Sequence, residues 1–578
     1  MSRAITILYG SETGNAQDYA QILSKRLRFL RFATTVSTLG DYDVRKLLST
    51  GLLVVICSTT GQGELPRNSK AFLRFLLKKK LPADLLSHLS FTSFGLGDSS
   101  YVKFNYAAKK LHNRLLQLGA TECSPRAESD EQSPEGTDGY YSEWEAILLA
   151  NLNEQYPLPP GIEPIPEIEI LPPTNPVEIC ETDNFNELLS EKSHSLILGE
   201  IVRNDRITAS NHFQDVRHLV IHDTSGSLDF QPGDTVGLYP TNDPVDVFKL
   251  IENQGWEAIA DRPLRIQHEV AHIEGGLINN LTLRTLLTHH LDIMSVPRRS
   301  FFWLAWHFSD DEREKEKLHE FSDIKEAEEL FDYANRPRRS ILETILEFSS
   351  LRIPVEYLFD LIPTIKLRQF SIASQPDPNR VELAIALVEY KTILRRARKG
   401  VCSSWVKTLN VGDRIVFSVH RSQLKFGDTQ PLVMVAPGTG VAPMKSLIEY
   451  KVGLSLAEVV PQKLTLFYGC RFHDKDFLFG TYWKRLAEEQ KLELSTSFSR
   501  EKGGYVQHAL YKQRKAVCEQ ILAQKGIIFI CGSNGSMPRE VRITFEAILE
   551  EEGKMSKEEA RKYILQMENE GRYIQETW

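Results

Sequence analysis

Apolar and polar residues follow three different rhythms along this chain. From residue 1 to about 152, short apolar runs alternate with helical periodicity. Ala4–Tyr9, Leu52–Cys57 and Leu89–Gly95 read as strands, and Gln17–Arg31, Ser69–Lys80 and Ala107–Leu118 as the helices that follow them. That order predicts a parallel sheet with helices on both faces. Residues 153–192 break the rhythm. Eight prolines between Tyr156 and Pro176 predict an extended, fairly stiff linker with a hinge about which the first unit swings. From 193 strand-like runs return at Ser195–Arg203 and Asp215–Ile221, with turn signals at Gly226 and Gln231-Pro232-Gly233-Asp234, the pattern of a β-barrel. About 245–350 reads as helical, an insert in the barrel. Barrel strands resume at Leu367–Ser374, Val381–Leu387 and Asp413–Val419 and end by 428. Strand-helix alternation then fills 429–578.

Composition narrows the classes. The 578 residues suggest three or four domains at about 150 residues each. With 42% hydrophobic and 25% charged residues the chain has ample core, and its net charge of −8 argues against a general nucleic-acid binder. The seven cysteines form no CxxC pair, which argues against a metal site or disulfide framework and for a reducing compartment. No opening segment reads as a signal peptide, and no run reaches the ~20 apolar residues of a membrane span. The most apolar run, Phe301–Phe308, reads as a buried helix or an interface. The charged run Asp310–Lys317 reads as a solvated helix face, and Arg395–Lys399 as a solvated loop.

Chemistry concentrates in loops at strand ends. Ser11-Glu12-Thr13-Gly14-Asn15-Ala16 joins the first strand to its helix, where hydroxyls, amides and the helix dipole suit a phosphate. No Gly-Lys-Ser/Thr follows and no Lys or Arg is nearby in sequence, so a flavin mononucleotide fits better than a transferable triphosphate. Ser58-Thr59-Thr60-Gly61 ends the second strand candidate. Leu96-Gly97-Asp98-Ser99-Ser100-Tyr101-Val102-Lys103-Phe104-Asn105 follows the third, with Tyr101 offering a ring to stack on an isoalloxazine. Arg368-Gln369-Phe370-Ser371 opens a strand with a cation, as a flat, phosphate-bearing cofactor requires. Pro437-Gly438-Thr439-Gly440 ends a strand with two glycines that admit a pyrophosphate. Ser499 and Arg500 suit a 2′-phosphate, which selects NADPH over NADH.

Together, SETGNA, TTGQGE and GLGDSSYVKFN resemble the flavodoxin-like domain of the diflavin reductases, and the resemblance runs over nearly the full chain. It implies a doubly wound flavodoxin-like domain (1–152), a linker (153–192), an FAD-binding barrel with a helical insert (193–428) and a ferredoxin-reductase-type NADPH-binding domain (429–578). It assigns FMN to the three loops above and to an acidic position at Glu131. Arg368, Gln369, Phe370, Ser371, Arg338, Gly400, Val401, Cys402 and Ser403 would bind FAD, with Phe370 standing where the family usually has Tyr. Cys402 by itself reads as a small packing residue. Thr439, Ser499, Arg500, Tyr505, Val506 and Gln507 would bind NADPH. Ser371, Cys531 and Glu576, the last where the family usually has Asp, would surround the reacting atoms, and Trp578 would cover the flavin face.

The implied activity is electron transfer from NADPH through FAD and FMN to a protein acceptor. The chain is most similar to the soluble, cytoplasmic branch of iron-sulfur cluster assembly, which implies an iron-sulfur acceptor of the anamorsin type and neither nucleic-acid nor membrane partners. That acceptor is expected at the FMN edge, where Glu64 and Asp98 make the loops acidic. A reductase for a haem monooxygenase, methionine synthase or sulfite reductase is an alternative, as is a non-catalytic flavin scaffold.

Overall fold

The computed structural model describes residues 3–60, 63–99, 103–133, 136–180, 196–266, 281–392, 395–422, 424–427, 429–456, 463–501 and 503–577. The first unit is a parallel sheet of β1 (Ala4–Gly10), β2 (Ala33–Thr38), β3 (Leu52–Ser58), β4 (Ser90–Gly97), β5 (Thr121–Glu122) and β6 (Ala127–Asp130). Its order is β2-β1-β3-β4-β5, with β6 also on β4, the flavodoxin-like winding. β3 is central and buried on both faces, which is why Leu52–Cys57 is an unbroken apolar run. β2, reading Ala-Thr-Thr-Val-Ser-Thr at the sheet edge, shows no apolar run, and the hydrophobic pattern misses it.

The linker is not a free tether in this conformation. Its β7 (Val177–Ile179) pairs with β11 (Leu264–Ile266) of the insert. Upstream it lies along the helix Asn15–Phe29: the Ile165 amide donates to the Phe29 carbonyl at 2.8 Å, Arg28 to the Pro172 carbonyl at 2.6 Å and Arg31 to that of Glu163 at 2.7 Å. Its far end is held by Tyr357, which donates to the Leu171 carbonyl, and by the Thr174 amide on Asp360.

The second unit is a sheet in the order β12-β10-β16-β8-β9-β13, from β8 (Leu196–Arg206), β9 (Val216–Asp223), β10 (Thr235–Leu238), β12 (Arg368–Ser371), β13 (Arg380–Ala386) and β16 (Arg414–His420). A bridge between Ile372 and Leu383 brings its two ends together, closing the barrel around Ile201, Phe230, Val236 and Phe417. The short hairpin β14 (Glu389–Lys391) and β15 (Ala397–Lys399) extends from it. The insert packs its helices around Phe301, Phe302, Phe321 and Leu358. Its helix Arg299–Ala305, within the most apolar run of the chain, is both a buried helix and an interface. Trp303 meets Phe29 of the first unit edge-on at 5.6 Å, with Arg26 over the same indole. The run Asp310–Lys317 falls on the helix Glu312–Glu320, N-capped by Asp311.

The third unit is a parallel sheet in the order β19-β18-β17-β20-β21: β17 (Leu432–Pro437), β18 (Leu464–Cys470), β19 (Glu493–Phe498), β20 (Ile527–Gly532) and β21 (Tyr573–Thr577). It shares a core with the barrel, because Val216 and Phe426 pack into it and the Phe426 and Phe529 rings lie 5.0 Å apart. A buried ionic network seals this joint. From the helix Val441–Leu456, Lys445 donates to the Ala373 carbonyl at 3.0 Å and pairs with Glu382 at 3.1 Å and Glu449 at 2.6 Å; His218 reaches Glu382 at 2.9 Å.

Although burial pushes the Glu382 carboxyl up, the His218 hydrogen bond and the Lys445 charge hold it down at about 2. Its stabilising contribution is therefore complete above the ordinary value of 4.5 and lost as pH falls towards 2. Relative to Glu382→Gln, the native protein should lose roughly 3 kcal/mol across that acid window. Urea unfolding at stepped pH, read at the barrel–NADPH-domain transition, measures the difference.

Candidate functional site

The loop Ser11–Ala16 leaves β1 and enters the helix Asn15–Phe29 through Gly14, whose φ of 97° belongs to glycine. The Gly14 amide donates to Ser11 Oγ at 2.8 Å and the Ser11 amide to Asn68 Oδ1 at 3.2 Å, shaping a cup at the helix N-terminus. Glu12, Thr13 and Asn15 are exposed on it, and Ala16 is buried beneath. Beside the cup, Ser58 Oγ donates to the Gly10 carbonyl, the Thr59 amide to that of Leu96 and the Thr60 amide to that of Glu64.

Asn105 is the post around which the next loop winds. It is buried, adopts φ 51° and donates through Nδ2 to the Ser129 carbonyl at 2.9 Å. A methyl on Gly95 or Gly97 would meet its amide at 2.7–2.8 Å, so both glycines are required. Asp130 ties the same loop by accepting the amides of Ser99 and Gln132, and these bonds hold its carboxyl below the usual range. Glu131 is placed by its own amide, which donates to the Gly97 carbonyl. Asp98 follows β4, Lys103 and Phe104 lie before the helix Tyr106–Gln117, and Leu96 is turned into the core. Gly61, Ser100, Tyr101 and Val102 lie outside the described residues, as does Trp578.

Across from the cup, one cavity of about 2110 Å³ runs between the first unit and the barrel. That is roughly twice the upper end of the 300–1,000 Å³ usual for one small-ligand pocket. Glu12, Thr13, Asn15 and Glu131 line one wall; Arg338, Arg368, Gln369, Gly400 and Val401 line the other. The cavity therefore joins the loops read as phosphate sites for two different cofactors. Arg338 adopts φ 52°, a strained conformation for a side chain of its size. Gly400 caps the helix Val401–Thr408, in which Cys402 and Ser403 point inward; Ser403 Oγ is taken by the Val388 amide. Those two side chains are buried beneath the Gly400 turn rather than lining the cavity. Phe370 packs against the barrel core.

Three cavity residues escape sequence reasoning. Arg398, within the stretch expected to be a solvated loop, holds both Glu343 oxygens at 2.8 Å and the Pro337 carbonyl at 3.0 Å, bracing the hairpin against the insert. Its Nη2 is buried without a hydrogen-bond partner among the described residues, a donor suited to an anion. Asp292 is the second; burial pushes its carboxyl up and Arg368 opposes that rise. The third is Arg298, which reaches Thr13 and Gly14 from the insert. Lys366 lies among these cations. Loss of solvent, then the charges of Arg298 and Arg368, push its ammonium below the usual lysine range. The donors of Arg298, Lys366, Arg368 and Arg398 fit phosphate groups, although carboxylates such as Glu12 and Asp292 line the same cavity.

In the third unit Gly438 (φ 59°), Thr439 and Gly440 form a single turn after β17. A methyl on Gly440 would lie 2.1 Å from the Cys531 carbonyl oxygen, so the loop touches the end of β20. The register of β20 and β21 sets Cys531 directly beside Glu576. Burial, then the Glu576 charge, pushes the Cys531 thiol well above its ordinary range, so Sγ keeps its proton. Ser371 ends β12 on the barrel side, three residues before the Ser374 hydroxyl that accepts the Glu382 amide. Ser499 and Arg500 follow β19, their amides bonded to the Cys470 and Arg471 carbonyls. Tyr505 is exposed and Gln507 half-buried, but Val506 packs against Gly469 in the core, so its side chain is structural.

Family models match the three units in this order: flavodoxin over residues 7–144, FAD binding domain over 190–405 and oxidoreductase NAD-binding domain over 434–542. A Debaryomyces hansenii protein named NADPH-dependent diflavin oxidoreductase 1 is 55% identical over 606 residues, covering 99% of this chain and 98% of its own length. Proteins of the same name from Candida albicans and Saccharomyces cerevisiae are 49% and 39% identical, each match covering 100% of both chains. The chain belongs to the NADPH-dependent diflavin oxidoreductase family. FMN, FAD and NADPH are therefore the cofactors of this reductase. Bound to it, NADPH supplies a hydride, and the two flavins turn that pair of electrons into single deliveries.

Two outcomes follow for the NADPH side. Because Cys531 Sγ is buried and protonated, iodoacetamide at pH 8 should leave it unmodified in the folded reductase and label it after denaturation, as read by peptide mass spectrometry. Gly440→Ala should destabilise the third unit by at least about 2 kcal/mol, because the obstruction is backbone. Thermal unfolding with and without NADP checks it.

Proposed function

We propose that this reductase passes single electrons to a small iron-sulfur protein of the anamorsin type in cytosolic iron-sulfur cluster assembly. The observation that carries the reading is the cavity shared by the FMN cup and the barrel. The loops read as phosphate sites for the two flavins line its two walls, which supports passage of electrons from one flavin to the other before they reach an acceptor. The sequence GLGDSSYVKFN and the helix after it support this branch of the family. Seven cysteines without a disulfide support a reducing compartment. No helix among the described residues is long and apolar enough to cross a membrane.

The edge near the Leu96–Asn105 loop carries both signs of charge, not the acidic surface its sequence suggests. Glu64 is paired with Lys70 at 2.7 Å, and Lys103 and Lys110 flank the exposed Tyr106 ring. A partner recognised here meets cations and an aromatic as well as carboxylates. A haem-protein acceptor is the second reading, since the same edge also suits it.

The test uses purified full-length protein, carrying one FAD and one FMN, with NADPH and the purified iron-sulfur partner under anaerobic conditions. The cluster's visible absorbance should bleach in step with NADPH consumption. No bleaching, with cytochrome c still reduced, removes the acceptor assignment and leaves the diflavin chemistry. Flavin absorbance that stays oxidised with NADPH points to the scaffold.

A further inference from the structure

The phosphate cup has no cation of its own, yet the structure brings one to it from another domain. Arg298 immediately precedes the helix Arg299–Ala305 of the insert, with an extended backbone. Its guanidinium crosses the domain gap, donating from Nη1 to the Gly14 carbonyl and from Nη2 to the Thr13 carbonyl at 2.7 Å. Those oxygens belong to the peptide groups whose nitrogens are Gly14 N and Asn15 N, in the wall of the cup. A cation at the oxygen end of a peptide group strengthens the donor at its nitrogen end, and it adds positive potential where an anion would sit. Gly14 serves the contact as well as the turn. A methyl there would lie 2.0 Å from Arg298 Nη2.

The residues after Arg298 lock it in place. Ser300 Oγ donates to Asp18 on the cup's own helix, Lys25 Nζ donates to the Ser300 carbonyl at 3.2 Å, and the buried Arg299 pairs with Asp138 at 2.8 Å. Three consecutive insert residues thus hold the flavodoxin-like unit around one loop. Beyond the loss of solvent, Arg298 and Arg368 both stand close enough to Lys366 to push its ammonium down, with Glu12 and Asp292 opposing them, so three cations and two carboxylates meet at this corner of the cavity.

We propose that Arg298 is a positioning residue that couples FMN-phosphate binding to the docking of the flavodoxin-like unit on the insert. The inference rests on the reading that Ser11–Ala16 takes the FMN phosphate. A dianion in the cup favours the docked arrangement, because docking brings the guanidinium to the loop. By reciprocity, docking tightens FMN by the same factor. Riboflavin, which has the same ring system and no phosphate, gains nothing from Arg298.

The test uses full-length protein stripped of FMN but retaining FAD. FMN and riboflavin affinities are measured by flavin fluorescence, and compactness by small-angle X-ray scattering. Wild type should bind FMN far more tightly than riboflavin and become more compact with FMN than with riboflavin. Arg298→Gln should weaken FMN about tenfold, within the range of ordinary coupling energies. It should leave riboflavin affinity unchanged and erase the compaction difference; Arg298→Lys should restore part of the FMN affinity. Ser300→Ala, which removes the neighbouring bond to Asp18, should loosen docking and still leave FMN preferred over riboflavin.

Equal weakening of FMN and riboflavin by Arg298→Gln would make Arg298 a packing residue and overturn the proposal. An unchanged FMN affinity in that variant would overturn it too. Wild type that fails to prefer FMN over riboflavin would overturn the phosphate-cup reading beneath it.

Discussion

The burial of Phe301 and Phe302 in the insert is the interaction on which the geometry of the cavity between the first unit and the barrel depends. A helix of seven residues is too short to hold itself together in water. Arg299–Ala305 persists because Phe301, Phe302, Leu304 and Ala305 enter the insert core, where Phe302 packs edge-on against Phe321 at 5.1 Å. Its other side, with Arg298, Ser300 and Trp303, meets the first unit. The position of the Ser11–Ala16 cup relative to the barrel is thus inherited from the apolar core of the insert, which also reaches the cavity through Phe301, Leu330, Ile341 and Leu361. Loosening that core would move the whole wall of the cavity.

The two joints between domains differ in kind. The barrel and the NADPH-binding domain share apolar core, and a buried Lys445–Glu382–His218 network crosses between them. Removing one partner of such a network leaves a charge without compensation, so this joint resists opening. The joint at the first unit mixes the Trp303–Phe29 contact and the buried Arg299–Asp138 pair with exposed contacts from the linker. Its linker straps include the exposed Arg26–Glu167 pair, and contacts of that type contribute on the order of 0–1 kcal/mol each. The proline-rich segment does not act as a loose string. It adds individually weak contacts to a joint whose buried part is the Arg299–Asp138 pair and the Trp303–Phe29 contact.

Local chemistry made much of this legible in advance. Gly-containing loops at strand ends carry their meaning within six or seven residues, so the cup, the β12 arginine and the Gly438–Gly440 turn stand out from sequence. Elements whose pattern is set by distant neighbours do not. β2 is polar because it is an edge, and the four-residue β10 is too short to show alternation between its two sheet partners. Arg298 and Arg398 lie in ordinary basic stretches, and their partners are 284 and 55 residues away. Val506 shows the opposite error. It sits between exposed and half-exposed neighbours in a motif, yet its own side chain belongs to the core under Gly469.

The NADPH side follows from the register of one strand pair. In a parallel ladder, a residue's neighbour is decided by where the second strand begins, so Cys531 lies beside Glu576 only because Ile528 is set against Tyr573. Gly440 then closes on the Cys531 carbonyl, which ties the nucleotide loop to the same point. Thiol, acid and loop form one packed unit, in which a change in any backbone displaces the other two. A glutamate can stand at this position because the strand, rather than the side chain, fixes where the carboxylate starts. Its extra methylene changes reach, while the carboxylate still raises the neighbouring thiol and keeps the proton on sulfur.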